Sequence, residues 1–226
     1  MSDEAKKHAA ARAIEFLQAG QVVGLGTGST AKFAIEEIAL LVREGLKITA
    51  VATSVATARM AQELEIPLAD LNDVPGIDIA IDGADEVDNN LNMIKGGGGA
   101  LTREKLVALA SVKRIFIVDE HKRVSTLGEG WPVPVEVLPF AWTRSAIMLN
   151  ALGCAANLRS DQGGPFVTDN GNYILDCKFA AINNPGEMEK SIKLIPGVIE
   201  SGIFVGIADV VIVGYADHTE IIDRAP

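Results

Sequence analysis

Several features that mark particular classes of protein are scarce in this chain of 226 residues. Its only two cysteines, Cys154 and Cys177, form no CxxC pattern, so the sequence indicates neither a disulfide framework nor a thiolate metal site. The longest apolar runs, such as Ile38 to Val42, are far shorter than the ~20 residues that span a bilayer. We therefore expect a cytoplasmic protein of a reducing compartment, with no membrane segment.

Positive charge is also scarce, because 20 lysines and arginines stand against 30 aspartates and glutamates, a formal net charge of −10. An acidic surface repels phosphodiester backbones and anionic lipids, so we expect neither nucleic acid nor a membrane surface as a partner. The three histidines, His8, His121 and His218, form no spaced pair, which disfavours a histidine metal site. With 48% hydrophobic residues, the chain can instead build a substantial core in one or two domains.

The chain contains a repeated alternation of short apolar strands and amphipathic helices. This alternation predicts an α/β fold with a doubly wound, mostly parallel sheet and helices on both faces. We predict its strands at residues 22–25, 48–52, 77–81, 114–118 and 208–213, and its helices at residues 3–19, 31–43, 57–64 and 102–110.

The pattern changes in the second half of the chain, where strands follow one another through Gly-rich and Asn-rich turns. We expect a smaller inserted α+β domain at residues 130–204, and a catalytic α/β domain formed by residues 1–129 and 205–226. In the small domain the predicted strands are 133–137, 155–159, 166–168, 173–176 and 198–204, and the predicted helices are 143–152 and 187–194.

A glycine-rich turn, Gly24 to Thr30, follows the first predicted strand and precedes a helix. Free backbone N–H groups and the helix dipole at such a turn favour a phosphate or carboxylate. A dinucleotide fingerprint needs glycine where Ser29 stands, and a nucleotide P-loop needs lysine before its final Ser/Thr, so both are disfavoured. A small monophosphate fits this turn better, although a turn with no ligand is the alternative.

Four acids, Asp82, Asp85, Glu86 and Asp88, follow a predicted buried strand at the carboxyl edge of the sheet, where open α/β sheets bind ligands. Carboxylates repel phosphate, so these acids suit the hydroxyl groups of a substrate, or a divalent metal. We favour functional roles for Asp82 and Asp85, and expect Glu86 and Asp88 to be solvated loop acids.

The segment from Lys95 to Lys105 contains four successive glycines, Gly96 to Gly99, and then Glu104 in the first turn of a predicted helix. Consecutive glycines are entropically costly, which favours a close backbone approach to a ligand or positive φ angles over a simple hinge. Together with a monophosphate turn and hydroxyl-binding acids, this lysine and carboxylate predict proton abstraction beside a carbonyl on a phosphorylated sugar.

Two other functions use the same residues. A sugar-phosphate sensor would bind through the same loops without needing Glu104 as a base. A metal-dependent enzyme centred on Asp82, Asp85 and Asp88 would lose activity with a chelator, whereas a carboxylate-base isomerase would not.

Three segments, 24–31, 78–86 and 95–105, together closely resemble type A ribose-5-phosphate isomerase, and the similarity extends to 134–139, 167–172 and 195–198. The resemblance implies interconversion of ribose 5-phosphate and ribulose 5-phosphate in the pentose phosphate pathway, without a cofactor or metal. It further implies a homodimer or a tetramer of dimers. One departure is Gly99, where relatives often have alanine, and we expect its effect to be small.

The resemblance also assigns roles to individual residues. It implies Glu104 as the general base, Asp82 as the ring-opening acid and base, and Asp85 and Lys95 as contacts to hydroxyls and the oxyanion. Lys122 and Lys6 are implied as substrate-binding lysines, although the adjacent Lys7 leaves the assignment of Lys6 open. The remaining implied substrate contacts are Thr27, Gly28, Ser29, Thr30, Gly83, Ala84, Gly96, Gly97 and Gly98.

Overall fold

The computed structural model describes residues 3–224. Within these residues the α-helices are α1 (Asp3–Ile14), α2 (Ser29–Arg43), α3 (Val55–Glu63), α4 (Leu101–Leu109), α5 (Trp142–Asn150) and α6 (Pro185–Lys193). The strands are β1 (Val22–Leu25), β2 (Thr49–Ala52), β3 (Ile77–Gly83), β4 (Glu86–Val87), β5 (Met93–Ile94), β6 (Ser111–Asp119), β7 (Val133–Val137), β8 (Ala155–Leu158), β9 (Ser160–Asp161), β10 (Gly164–Pro165), β11 (Tyr173–Lys178), β12 (Val198–Ser201), β13 (Ile203–Phe204), β14 (Val210–Gly214) and β15 (Thr219–Asp223). None of the helices in this range is both long and apolar enough to cross a membrane.

The described chain divides into two compact units. The first holds the residues up to Ala84, Arg103–Lys122 and the residues from Ile207 onward, and the second holds Asp85–Thr102 and Arg123–Gly206. This division differs from the predicted domain boundaries because residues 85–102 group with the second unit. The reason is strand pairing: β5 lies between β4 and β13 in a three-stranded sheet, which ties this stretch to Ile203–Phe204.

The first unit contains a six-stranded sheet in the order β15-β14-β6-β3-β1-β2. The five strands from β14 to β2 are parallel, and β15 pairs antiparallel with β14 at one edge. Successive residues of a strand point to opposite faces. Accordingly, Leu25 and Ile81 pack in the core beneath α1 and α2, whereas Ala80 and Val51 pack with Val107 of α4. The predicted doubly wound α/β fold is confirmed.

Helix α1 packs against a strand from the far end of the sequence. It contacts β14 and β6 through its buried alanines, which include Ala9 and Ala13. The contact with β14 is very close at Gly214, where any β-carbon would collide with the backbone carbonyl of Ala5. A residue with a side chain at position 214 would therefore push α1 away from the sheet.

The second unit contains an antiparallel four-stranded sheet in the order β12-β7-β11-β8, with α5 and α6 packed on it. Its core is formed mainly by alternate residues of β7 and β11, such as Val135 and Leu175. Cys154 and Cys177 are free, and their thiols donate to backbone carbonyls, Cys154 to Leu149 at 3.2 Å and Cys177 to Leu175 at 3.7 Å.

Two predicted strands differ in the structure, and several observed strands were not predicted. The predicted strand 198–204 is divided at Gly202, whose N–H donates to Pro134 and whose carbonyl accepts from Lys95, so that β12 and β13 join different sheets. The predicted strand 166–168 is reduced to a single bridge between Val167 and Tyr173. Strand β15 was not predicted, because its polar and apolar residues do not alternate in a regular pattern.

Candidate active site

The segment Gly26–Thr30, which comprises the turn after β1 and the first two residues of α2, is held by a cluster of hydroxyl groups in the first unit. Thr27 Oγ1 lies 2.7 Å from Thr53 Oγ1, 2.8 Å from Ser54 Oγ and 3.0 Å from Thr57 Oγ1. Thr57 also donates to the carbonyl of Gly26 at 2.9 Å. These side chains follow β2, next to β1 in the sheet, so parallel pairing brings the two strand ends together.

Asp82 lies at the end of β3 beside this turn, as predicted from its position after a buried strand. Its side chain is buried, and Oδ1 accepts hydrogen bonds from the Thr27 N–H at 3.0 Å and the Gly83 N–H at 2.7 Å. Backbone donors of this kind fix the orientation of a carboxylate. Gly83 is half-buried, and Ala84 is the last residue of this part of the first unit.

The N-terminal lysines have clearly different environments. Lys6 is buried and its Nζ donates to Ser29 Oγ at 3.1 Å, whereas Lys7 is exposed with its Nζ 5.7 Å from the centre of the Phe33 ring. Within the same turn Gly28 and Ser29 are exposed. A cation and a hydroxyl therefore meet at the N-terminal end of α2, where the helix dipole favours an anion.

Glu104 lies in the first turn of α4, as predicted, and only 4% of its surface is exposed. Thr30 and Lys122 are half-buried, and Lys122 ends a single helical turn, Glu120–Lys122, that follows β6. Lys122 thus follows β6, and Asp82 lies near the end of β3, the strand that pairs with β6 in the parallel sheet.

The glycine loop, Lys95–Gly99, belongs to the second unit and begins with a buried lysine. Lys95 is 2% exposed, and its Nζ lies 5.5 Å from the centre of the Phe204 ring. Gly97 and Gly98 are exposed, whereas Gly96 is buried. The Gly97 N–H donates to Asp85 Oδ2 at 2.8 Å, so the structure brings together two of the predicted site residues in this unit.

Glu86 is a correction to the sequence analysis, because it is buried rather than solvated. Its carboxylate accepts three backbone N–H groups, from Gly128 at 2.7 Å, Gly130 at 2.8 Å and Trp131 at 2.6 Å. A buried carboxylate requires such donors, and here they come from a loop more than 40 residues away in the sequence.

Asp88 is occupied within its own turn, where it accepts the N–H groups of Asn90 and Asn92 at 2.8 Å. Its carboxylate thus closes a local turn, a common use of aspartate. Across residues 3–224, no three His, Cys, Asp or Glu side chains gather closely enough to hold a metal ion.

Gly99 also differs from expectation. Its φ is +82°, and a β-carbon there would lie 2.5 Å from the Phe166 ring. Because the left-handed region is unfavourable for residues with a side chain, glycine at this position removes strain that alanine would introduce. We expected this departure to have a small effect, but the positive φ and the nearby Phe166 ring indicate a larger one.

Sequence reasoning missed two sets of residues that support these loops. The hydroxyls of Thr53, Ser54 and Thr57 could have been found, since a polar run directly after a buried strand is an unusual signal. Arg159 carried no such signal. It is an isolated arginine after β8, yet it donates to the carbonyls of Gly96 and Gly97 at 3.0 Å each.

Each unit holds some of the predicted site residues. The first presents a buried carboxylate in Glu104, an oriented carboxylate in Asp82 and an anion-favouring turn with Lys6. The second presents a buried lysine and backbone N–H groups in the glycine loop. Such groups can move a proton and stabilise an oxyanion on a phosphorylated substrate.

Known proteins are similar to this chain along most of its sequence. The model of the family described as ribose 5-phosphate isomerase A (phosphoriboisomerase A) matches residues 49–218. A ribose-5-phosphate isomerase A from Gloeobacter violaceus is 50% identical over 221 residues, covering 97% of this chain and 96% of that protein. One from Methanothermobacter thermautotrophicus is 48% identical over 220 residues, covering 96% of each.

Solved structures agree with this assignment. A D-ribose-5-phosphate isomerase in complex with phospho-erythronic acid matches with a TM-score of 0.96 and 44% identity, over 99% of this chain and all of that one. The ribose 5-phosphate isomerase A of Methanocaldococcus jannaschii matches with a TM-score of 0.95 and 40% identity, with the same coverage. The predicted resemblance is confirmed, and the chain belongs to the ribose 5-phosphate isomerase A family of isomerase enzymes.

Proposed function

We propose that this protein interconverts ribose 5-phosphate and ribulose 5-phosphate through an enediolate, with Glu104 as the base. The observation that carries the proposal is the burial of Glu104 in the first turn of α4, in a chain of this family. Glu104 removes the proton from C2 of the open-chain aldose, the electron pair forms a C1=C2 double bond, and the carbonyl oxygen on C1 takes up the negative charge. Glu104 then returns the proton to C1 while the proton on O2 is transferred to O1, which becomes the hydroxyl of the ketose.

Asp82 is proposed to open the sugar ring before this step. Ring opening needs a group that takes the proton of the C1 hydroxyl and a proton for the ring oxygen. Asp82 is suited to the exchange because backbone N–H groups of Thr27 and Gly83 hold one carboxylate oxygen, which fixes the direction of the other.

The remaining predicted residues are proposed to bind substrate and stabilise charge. Lys95 and the N–H groups of Gly96 to Gly98 would stabilise the enediolate, and Asp85 would accept a substrate hydroxyl. Lys6 with Thr27 to Thr30, and also Lys122, would hold the phosphate end. The contact between Lys6 and Ser29 at the start of α2 supports the phosphate assignment.

The test is ketose formation from ribose 5-phosphate in excess chelator, comparing the unmodified protein with Glu104→Gln. Glu63→Gln is the matched control, because it makes the same change of charge on an exposed glutamate of α3. We expect Glu104→Gln to lose about 10²–10⁴-fold in kcat, as for loss of a positioned base, while Glu63→Gln is unchanged. Both variants should bind phospho-erythronic acid, whose planar carboxylate resembles the enediolate.

Each other outcome has a definite meaning. Near-normal turnover by Glu104→Gln would remove Glu104 from the role of base. Loss of activity in chelator would favour a metal-dependent reaction. Binding of phospho-erythronic acid without any turnover by the unmodified protein would replace the isomerase with a sugar-phosphate sensor.

We further propose that the protein acts in the pentose phosphate pathway, in the cytoplasm, as a homodimer or a tetramer of dimers. The names of the family and of its members support the pathway. Light scattering of the purified protein distinguishes the assemblies, since each has a mass that is a multiple of 23.8 kDa.

A further inference from the structure

Arg159 occupies an unusual position in the second unit. Its Nη1 donates to two successive carbonyls of the glycine loop, those of Gly96 and Gly97, at 3.0 Å each. The opposite side of the same guanidinium is paired with Asp176, through Nε at 2.9 Å and Nη2 at 2.5 Å. A planar guanidinium with donors on both sides thus joins a carboxylate to the backbone of a loop.

The surroundings of Arg159 hold the guanidinium in place. Its backbone N–H donates to Ile174 and its carbonyl accepts from Phe166, both at 2.8 Å, so its main chain is fixed on two sides. The Phe166 ring centre lies 5.7 Å from the guanidinium carbon, and Asp176 lies on β11, the strand that pairs with β8. The side chain is only 15% exposed, which strengthens its polar interactions.

The geometry of the peptide bond relates these carbonyl contacts to the directions of the Gly97 and Gly98 N–H groups. Among residues 3–224 every peptide bond is trans, and in a trans peptide the N–H points opposite to the carbonyl. The carbonyls of Gly96 and Gly97 belong to the peptides that carry the N–H groups of Gly97 and Gly98. Because both carbonyls face Arg159, both N–H groups face away from it, and the first donates to Asp85.

From this geometry we propose that Arg159 is a positioning residue, which turns the Gly97 N–H towards Asp85 and aims the Gly98 N–H at the oxygen that becomes negative during isomerisation. The inference depends on the proposed function, because it takes the glycine loop as the oxyanion donor. Arg159 itself does not touch substrate in this account. Its positive charge also polarises the two peptides, which makes their N–H groups stronger donors.

The first unit provides a matched control for this arginine. Arg114 forms a similar two-bond pair with Asp209, through Nε at 2.8 Å and Nη2 at 2.7 Å, and its side chain is 25% exposed. Among residues 3–224 the Arg114 side chain hydrogen-bonds to Asp209 and to neither glycine-rich loop. Arg159→Met and Arg114→Met therefore remove the same chemistry, but only the first removes the support of the glycine loop.

The kinetic test compares these two variants with ribose 5-phosphate as substrate. We expect Arg159→Met to lower kcat by about 10-fold to 100-fold, the usual effect of removing a supporting partner of a reactive group, with KM changed much less. Arg114→Met should keep its kcat. Affinity for phospho-erythronic acid should fall in proportion to kcat/KM, because that acid carries charge like the enediolate. Guanidinium ion added to Arg159→Ala should restore part of the lost kcat.

A second readout does not depend on turnover. The amide resonances of Gly97 and Gly98 should shift in Arg159→Met but not in Arg114→Met, and their response to added phospho-erythronic acid should be lost only in the former. Unchanged glycine resonances, or equal losses of kcat in the two variants, would overturn the role of Arg159. If the unmodified protein has no isomerase activity, the proposed function fails, while the resonances still decide whether Arg159 orients the loop.

Discussion

The β1–α2 turn and the glycine loop are both glycine-rich segments for which we propose substrate contacts, but they are held in different ways. The turn is fixed by hydroxyls at the end of the adjacent strand and by Asp82, all within the first unit. The glycine loop is fixed by Asp85 and by Arg159, which lies 63 residues beyond Gly96 in the sequence. The first is stabilised by a cluster of hydroxyls together with one carboxylate, and the second by a carboxylate together with an arginine that is itself paired. This difference indicates that the two loops should respond differently to substitution.

Removing the hydroxyl of Thr27 should have the largest effect on stability. Thr27→Val leaves three hydroxyls, of Thr53, Ser54 and Thr57, without their shared partner in a buried site, so we expect a loss of about 2 kcal/mol in the free energy of unfolding. Urea denaturation measures the loss.

Thr49→Val, at the half-buried start of β2, is the control for Thr27→Val. This control should change stability by less than about 0.5 kcal/mol. Equal losses in the two variants would show that the hydroxyl cluster does not hold the turn, and the contrast between the two loops would disappear.

Alanine at position 99 should affect the glycine loop specifically. Gly99→Ala forces a side chain into a φ of +82°, which costs about 1 kcal/mol, and it must also displace Phe166 from its place beside Arg159. We therefore expect both a loss of stability and a fall in kcat, measured by thermal unfolding and by ketose formation.

The matched control is Gly163→Ala. Gly163 has a similar φ of +85°, but no atom lies within 4 Å of its β-carbon position. Gly163→Ala should therefore lose stability through backbone strain alone, and its kcat should be unchanged. A loss of kcat in Gly163→Ala, or none in Gly99→Ala, would contradict the link between Phe166 and the glycine loop.

The smallest expected effect on stability concerns the ion pair between Arg114 and Asp209, which supports neither loop. Burial disfavours the ionised form of Asp209, but hydrogen bonds from the Arg114 side chain and backbone outweigh it and hold the pKa of that carboxyl below its ordinary value. A lowered pKa in the folded state stabilises the protein above the unfolded pKa of about 3.9, and this contribution is lost as the pH falls through the folded value.

Asp209→Asn tests this sign. The variant should be less stable than the unmodified protein by about 0.5 kcal/mol at pH 7, as is usual for a partly exposed pair, and equally stable near pH 2. Its kcat should be unchanged. A stability difference that is the same at both pH values would show that the ion pair is not its cause.

The sequence predicted the parts of this molecule whose signals are local. The strand–turn–helix pattern at Gly26–Thr30, the acid at the end of β3 and the carboxylate after the glycines can each be identified from neighbouring residues. The side chains that hold these and other loops in place could not be predicted in the same way. Glu86 binds a loop more than 40 residues away, and Arg159 reaches back to Gly96, so neither partnership leaves a pattern in nearby residues.

The close packing of α1 on β14 has a consequence for the order of events during synthesis. Lys6 reaches Ser29 from a helix whose contact surface includes Gly214, near the other end of the chain. A ribosome adds about 5–20 residues per second, so roughly ten seconds or more pass between the synthesis of α1 and the synthesis of β14. Lys6, which we propose to hold the phosphate, should therefore be among the last of these residues to reach its final place, and a nascent chain that stops before β14 should bind phosphate poorly.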